Sequence, residues 1–374
     1  MKKFTNALRL ILLALLLCLS SFAFWSGEHI WMFKCSLVAT EFGAWFVLPC
    51  LLLALPKAGR LSLGFGLAAA LLFSSAEIRS LPVRRALPSL FLKAFGKPLL
   101  DPPPAMPDTE VRVRDLVFDP TNGLSLTFFD PWPESVSTTL SARPCIIVVH
   151  SGGWDGGDRH EFARLNLWLA RRGIAVASID YRLAPGFHWP AQRDDLLKAR
   201  SYLMARARHL DLDPDRFAVL GRSAGAQIAV ATAYTDPSLF RAVVDLYGPA
   251  DLNFAWDYAR PDDILDSGKL LRQYTGGSPA EVPQVYASAS PRLFASKDSP
   301  PTLMIHGLMD RLVWCRQSEL LDKRLTLERQ GRHLLITLPW GVHAFDYDFV
   351  GPGAAISAVA IWNFLNAEDR SMGR

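Results

Sequence analysis

Cysteine is scarce in this chain. There are five in 374 residues, with no C-x-x-C pair and no Cys/His cluster, which excludes a disulfide framework and a structural zinc site of ordinary spacing. Cys18, Cys35 and Cys50 fall in apolar N-terminal stretches, while Cys145 and Cys315 stand far apart; they read as buried thiols acting as small hydrophobes. Charge of one sign is lacking too. Forty basic against 36 acidic residues leave a formal net charge of +4, and no block of like charge forms the footprint a nucleic acid requires. Internal repeats are absent. At this length the chain holds one large domain plus an accessory segment.

Apolar residues, in contrast, make up half of the sequence, with the surplus in the first quarter. After Met1-Lys2-Lys3, the run Ala7 to Trp25 carries Arg9 as its single charge, and about 19 apolar residues suffice to cross a bilayer core. A cleaved signal peptide is the rival reading. The run is long for such a leader, however, and Ser21-Phe22-Ala23 is only a fair cleavage site, which favours an uncleaved anchor. A second run spans Phe33 to Leu55 with Glu41 inside it, and a third spans Leu61 to Phe73. Glu41 would cost a few kcal/mol at the bilayer centre, so it is expected near the interface or packed between helices.

Residues 1–78 therefore read as a membrane segment of about three transmembrane helices. Lys2, Lys3 and Arg9, with Lys57 and Arg60 after two crossings, favour a cytoplasmic N-terminus and put the remainder on the extracytoplasmic side. Arg79, Arg84, Arg85, Lys93 and Lys97 pull the other way. Residues 79–110 read as a linker, because Asp101-Pro102-Pro103-Pro104 can neither continue a helix nor pair within a sheet.

From Val111 onward short β-rich runs alternate with helical patterns, the signature of an α/β sheet flanked by helices. Strands are expected at 111–118, 124–129, 145–149, 174–179, 217–220, 242–246, 302–305 and 334–338. Helices are expected at 161–171, 193–207, 224–233, 317–329 and 354–365. Residues 111–374 form this domain, with a cap excursion at about 252–298.

Four motifs each fall where a strand ends, which is where open α/β sheets gather their ligands. Gly221-Arg222-Ser223-Ala224-Gly225 fits G-x-S-x-G between a strand and a helix, a sharp turn that needs small residues beside an exposed serine. His150-Ser151-Gly152-Gly153-Trp154 follows a buried strand; its glycines free backbone amides to approach an oxyanion, and Gly152, Gly153 and Ala224 are the candidate donors. His150 itself reads as structural. Asp310 follows one late strand and His343 the next. Nucleophile, acid and histidine thus come in the chain order of an α/β-hydrolase triad. Asp251 and Asp348 are weaker candidates for the acid. Asp180 and Arg182 read as structural ion-pair residues, and Trp154, Trp256 and Tyr258 as candidate pocket aromatics.

On these stretches, together with Asp180-Tyr181-Arg182-Leu183-Ala184-Pro185, Pro190-Ala191 with Asp195, Tyr247-Gly248-Pro249-Ala250-Asp251, Pro300 to Gly307 and Gly341 to Phe345, residues 111–365 resemble the esterase and lipase branch related to hormone-sensitive lipase and feruloyl esterases. The resemblance implies an α/β-hydrolase fold, a Ser223–His343–Asp310 triad and cleavage of a small-molecule ester through an acyl-enzyme, with no cofactor or metal. Two positions depart from it: Ser151 stands where a further glycine is usual, and Arg222 where aspartate is frequent. The membrane quarter lies outside it. Amide cleavage by a peptidase or formamidase, acyl transfer to an alcohol, and a catalytically silent membrane-anchored binding protein remain as alternatives.

Overall fold

The computed structural model describes residues 2–27, 29–55, 59–107, 111–131, 142–260 and 263–369. Lys57, used above to orient the membrane segment, lies outside them, as do residues 370–374 of the expected catalytic domain.

Among the described residues five helices open the chain: α1 (Lys2–Ser21), α2 (Ile30–Glu41), α3 (Gly43–Ala54), α4 (Gly59–Phe73) and α5 (Ser75–Phe95). Helices α1, α3 and α4 pack together around a small core that includes Ala23, Cys50, Ala69 and Phe73. Close packing is possible because Gly43 and Gly66 lie against Phe73 and Ala54, where a Cβ would overlap them. Two expectations need correcting. The run 33–55 is not one straight span but bends by 80° between α2 and α3. Residues 79–95, read as linker, are helical: α5 buries Leu87, Phe91 and Phe95, a stripe at four-residue spacing that packs on the sheet.

The sheet has eight strands among the described residues, in the order β1-β2-β4-β3-β5-β6-β7-β8. They are β1 (Val111–Asp119), β2 (Leu124–Pro131), β3 (Arg143–Val149), β4 (Ala175–Ile179), β5 (Leu212–Arg222), β6 (Ala242–Leu246), β7 (Thr302–Gly307) and β8 (His333–Leu338). The opening hairpin turns at Asn122-Gly123, where Gly123 has φ +68°, and β2 pairs antiparallel with both β1 and β4. From β4 through β8 every pair is parallel. Cys145, Ile146, Ile147, Val148 and Val149 are all buried, as the central strand of a sheet covered on both faces must be.

Helices α6 (Ala163–Ala170), α7 (Ala191–Ala205), α8 (Ala224–Thr235), α12 (Arg316–Leu327) and α13 (Pro352–Asp369) alternate with the strands. The excursion after β6 holds α9 (Leu252–Asp257), α10 (Ser267–Thr275) and α11 (Pro283–Ser288). One core, with Phe128, Ile147, Val219, Ile228 and Leu321, fills one face of the sheet. The other, with Ile146, Val148, Leu220, Ile361 and Phe364, fills the opposite face and takes in α5.

Candidate active site

Parallel strands deliver their following loops to one edge of the sheet, and that edge collects the chemistry-bearing residues. Ser223 follows β5 directly and caps α8 with φ +52° and ψ −120°, a left-handed conformation that costs a non-glycine residue free energy and persists only when its surroundings enforce it. The enforcement is visible. A Cβ on Gly221 would overlap Gly225 and Ala226, and one on Gly225 would overlap the carbonyls of Val149 and His150. The Ser223 amide donates to the Leu246 carbonyl at 2.9 Å. Both glycines of the motif are therefore demanded by close backbone approach.

His343 lies between two partners. Its Nε2 is 2.9 Å from Ser223 Oγ and its Nδ1 is 2.6 Å from Asp310 Oδ2. Asp310 is buried, and its Oδ1 accepts the amides of Leu312 and Val313, each at 2.9 Å. Burial by itself would raise this carboxyl; the charge of His343 and hydrogen bonds from His306 and His343 outweigh it and hold the group at about 2. His306, also buried, stands with Nε2 3.3 Å from Asp310 Oδ2 and 2.8 Å from the Val313 carbonyl. Its Nδ1 pairs with Ser318 Oγ at 2.7 Å, and because the Val313 carbonyl can only accept, Nε2 carries a proton.

The glycine loop beside the elbow turns through Gly152, Gly153 and Trp154, at φ +104°, +60° and +66°. A Cβ on Gly152 would strike Gly156, so that turn needs glycine. Among the described residues, the amides of Gly152, Gly153 and Ala224 donate to no protein acceptor, which leaves them available. His150 stacks on Tyr181 with ring centroids 4.0 Å apart. Burial lowers its pKa, so the neutral ring donates from Nδ1 to the Ser151 carbonyl at 2.7 Å. It braces the loop. Ser151, at one departure from the resembled pattern, donates its hydroxyl to Glu161 at 2.8 Å.

A cavity of about 340 Å³ opens beside this cluster, with Trp154, Phe254, Tyr258, Leu270, Val313 and Trp314 in its wall. Trp154 and Tyr258 thus line it. Trp256 does not; it packs edge-on to Tyr286 at 6.1 Å with Arg272 over its ring. Asp251 caps α9 and pairs with Arg292, and Asp348 pairs with Arg164, so neither approaches His343. Asp180 and Arg182 form ion pairs with Arg159 and Asp195 rather than with each other.

Two arrangements escape sequence reading. Arg222 turns away from the serine and donates to Asp346 at 2.7 Å, both side chains being almost wholly buried. Tyr247 donates to the other oxygen of that carboxylate at 2.6 Å, its hydroxyl kept protonated by burial and by the neighbouring negative charge. The same tyrosine meets the His343 ring edge-on at 4.7 Å. Separately, Gln227 Oε1 accepts from Trp154 Nε1 at 3.0 Å and from Tyr274 at 2.8 Å, which ties the glycine loop to the excursion. Partners so distant in sequence give no local signal, although His343-Ala344-Phe345-Asp346 places an unclaimed acid beside a claimed histidine.

Among the described residues no group of three or more His, Cys, Asp or Glu could hold a metal ion.

Among solved structures, the chain is similar to "Bacterial Heroin Esterase", with TM-score 0.60 and 23% identity over 71% of this chain and 87% of that one. That similarity gives the fold, the α/β-hydrolase fold. Among curated proteins, it is 30% identical over 258 residues to "Esterase LipC" of Mycobacterium tuberculosis, which covers 65% of this chain and 62% of that protein. It is 31% identical over 164 residues to "Arylacetamide deacetylase" of Bos taurus, 41% of this chain and 39% of that one. The chain spans less than two thirds of the length of either relative. The BD-FAE family model matches residues 135–325. Since that stretch is just over half of the chain, and contains the glycine loop, the elbow and Asp310, the chain belongs to the BD-FAE family.

Proposed function

We propose that the chain is a membrane-anchored serine hydrolase of carboxylic esters. Ser223 Oγ attacks the ester carbonyl while its proton passes to His343 Nε2. Asp310 holds the imidazole through Nδ1 and stabilises the cation that forms. The amides of Gly152, Gly153 and Ala224 receive the developing oxyanion; one such donor is worth about 3 kcal/mol in the transition state. His343 then returns the proton to the departing alkoxide, leaving an acyl-serine and a free alcohol. Water attacks the acyl carbon, gives its proton to His343, and the acid leaves as the proton returns to Ser223.

The observation that carries this reading is the unbroken series of contacts from Ser223 Oγ through His343 to Asp310, at 2.9 and 2.6 Å. An ionised Asp310, kept so at about 2, is the form that the role requires. Anchorage rests on α1, α3 and α4, whose outward residues are apolar. In this reading the N-terminus is cytoplasmic and the sheet domain lies across the membrane from it.

Turnover of p-nitrophenyl acetate and labelling by a fluorophosphonate probe test the proposal. Loss of the nucleophilic serine costs about a millionfold in turnover, so Ser223→Ala is expected to abolish both signals. A variant that keeps its label and its rate refutes the assignment.

A further inference from the structure

The long helix fixes where the N-terminal bundle stands. Helices α4 and α5 continue as one 37-residue element, Gly59–Phe95, about 55 Å long. Its far end lies beside the C-terminal half of α13, where the Phe95 and Phe364 rings are 4.8 Å apart. Some four turns earlier, Arg79 reaches Met309 Sδ at 3.8 Å, in the loop after β7 that carries Asp310. Helix α4 therefore projects past the strand ends that hold Ser223, Asp310 and His343, and α1 and α3 pack on it there. Two further ties hold the bundle at this edge. Arg79 also donates to the Ala23 carbonyl, just after α1, and Glu41 accepts the Gly353 amide at 3.3 Å, at the start of α13.

The bundle's outer surface says what surrounds it. Leu8, Ile11, Leu15, Leu48, Leu61 and Leu71 are all exposed, a surface that water does not favour and that hydrocarbon does. Helix α1 is apolar over Asn6–Ser21, about 24 Å, which enters most of a bilayer core of about 30 Å, and the element Gly59–Phe95 is long and apolar enough to cross one. Trp25, Trp31 and Trp45 are exposed; the first two lie against Phe22, next to the Ala23 carbonyl that Arg79 holds, and the third follows Gly43, which abuts Phe73, so the rings stand at the end nearest the sheet domain, where amphipathic rings mark a membrane–water boundary. That boundary faces the catalytic edge of the sheet. On the same edge Tyr258, Leu265 and Trp314, which line the apolar cavity, and Leu308, in the loop after β7, leave between 36 and 53% of their surface exposed.

The geometry points to an active site that opens against the bilayer surface, with an apolar acyl or aryl ester, dissolved in the lipid, as the substrate class that enters it. This rests on the anchorage and the ester hydrolysis proposed above and extends them to the route of entry. Ester leaving the hydrocarbon meets the exposed aromatic rim before it meets bulk water. The released alcohol and acid partition according to their own polarity.

The test separates the lipid route from the aqueous one. Full-length protein is reconstituted in phosphatidylcholine vesicles, and 4-methylumbelliferyl palmitate is placed either in those vesicles or in separate protein-free vesicles, at equal total lipid and ester. The expected initial rate is at least tenfold faster when ester and enzyme share a bilayer, with p-nitrophenyl acetate in the water hydrolysed equally in both mixtures. Equal palmitate rates, or acetate turnover with none of the palmitate, overturn the inference while leaving the hydrolase reading intact. Absence of acetate turnover as well overturns both.

Discussion

Arg222 stands next to the nucleophile in sequence and contributes its charge elsewhere. Its guanidinium lies 4.4 Å over the Phe162 ring and pairs with Asp346 in a buried pocket, leaving one nitrogen without a partner. A buried pair of this kind is costly to break and inexpensive to replace whole. Asp346→Ala should therefore lose about 3–5 kcal/mol of unfolding free energy, whereas the double variant R222M/D346L should lose much less, as read from urea midpoints. Because Tyr247 bridges that carboxylate and the His343 ring, Asp346→Ala should also lower kcat about tenfold or more, with little change in KM. A stability loss without a kcat effect would mean that the network supports the fold alone. Ser223, Asp310 and His343 were legible as motif residues in a fixed order. The Arg222–Asp346 pair was not, because its members are 124 positions apart and neither is unusual in its local setting.

Strands and helices of the sheet domain were legible because burial on two faces writes continuous apolar runs into the sequence. Edges were less so. Strand β5 begins at Leu212 rather than Phe217, since Leu212 pairs with Arg143 ahead of a register shift, and the polar stretch between carries no strand pattern. Helix α5 was hidden by Pro82 and Pro88 inside it, residues that ordinarily end helices. Its buried positions 87, 91 and 95 were the signal that could have found it. The elbow between β5 and α8 makes a prediction of its own: Gly225→Ala pushes a methyl into the Val149 and His150 carbonyls and should cost about 3 kcal/mol, the upper end of overpacking penalties, visible as a fall in Tm.

On β6, burial raises Asp245 from 3.8 to about 6 against the opposing His306 charge and Gly248 amide. An acid whose folded pKa lies above its unfolded one loses stability as pH rises from about 4 to about 6. Asp245→Asn keeps an acceptor for Gly248 and removes the ionisation, so its advantage over the parent should grow through that window to about 3 kcal/mol at neutral pH. Thermal melts at pH 4 and pH 7.5 check this; an equal difference at both would rule it out.

At the scale of the whole molecule, the bundle and the sheet domain have separate cores. The bundle's cluster shares no member with the two that flank the sheet, and α5 belongs to the latter. A chain beginning at Ser75 should therefore fold, leave the membrane on carbonate extraction and retain p-nitrophenyl acetate turnover, whereas the full chain stays with the pellet. Failure of the shorter chain to fold would show that the Glu41 and Arg79 contacts are needed for the domain and not only for its orientation.

By itself the sequence determined that a serine, an acid and a histidine would each follow a strand, and that the first quarter would be apolar. Periodicity and turn chemistry are local properties, written within a few residues of where they act. Only tertiary structure decided that Glu41, expected near a membrane interface or between helices, accepts an amide of α13, that Trp256 turns away from the cavity, and that the bundle stands over the catalytic edge. Those outcomes depend on contacts between residues tens to hundreds of positions apart, which packing selects and no local pattern encodes.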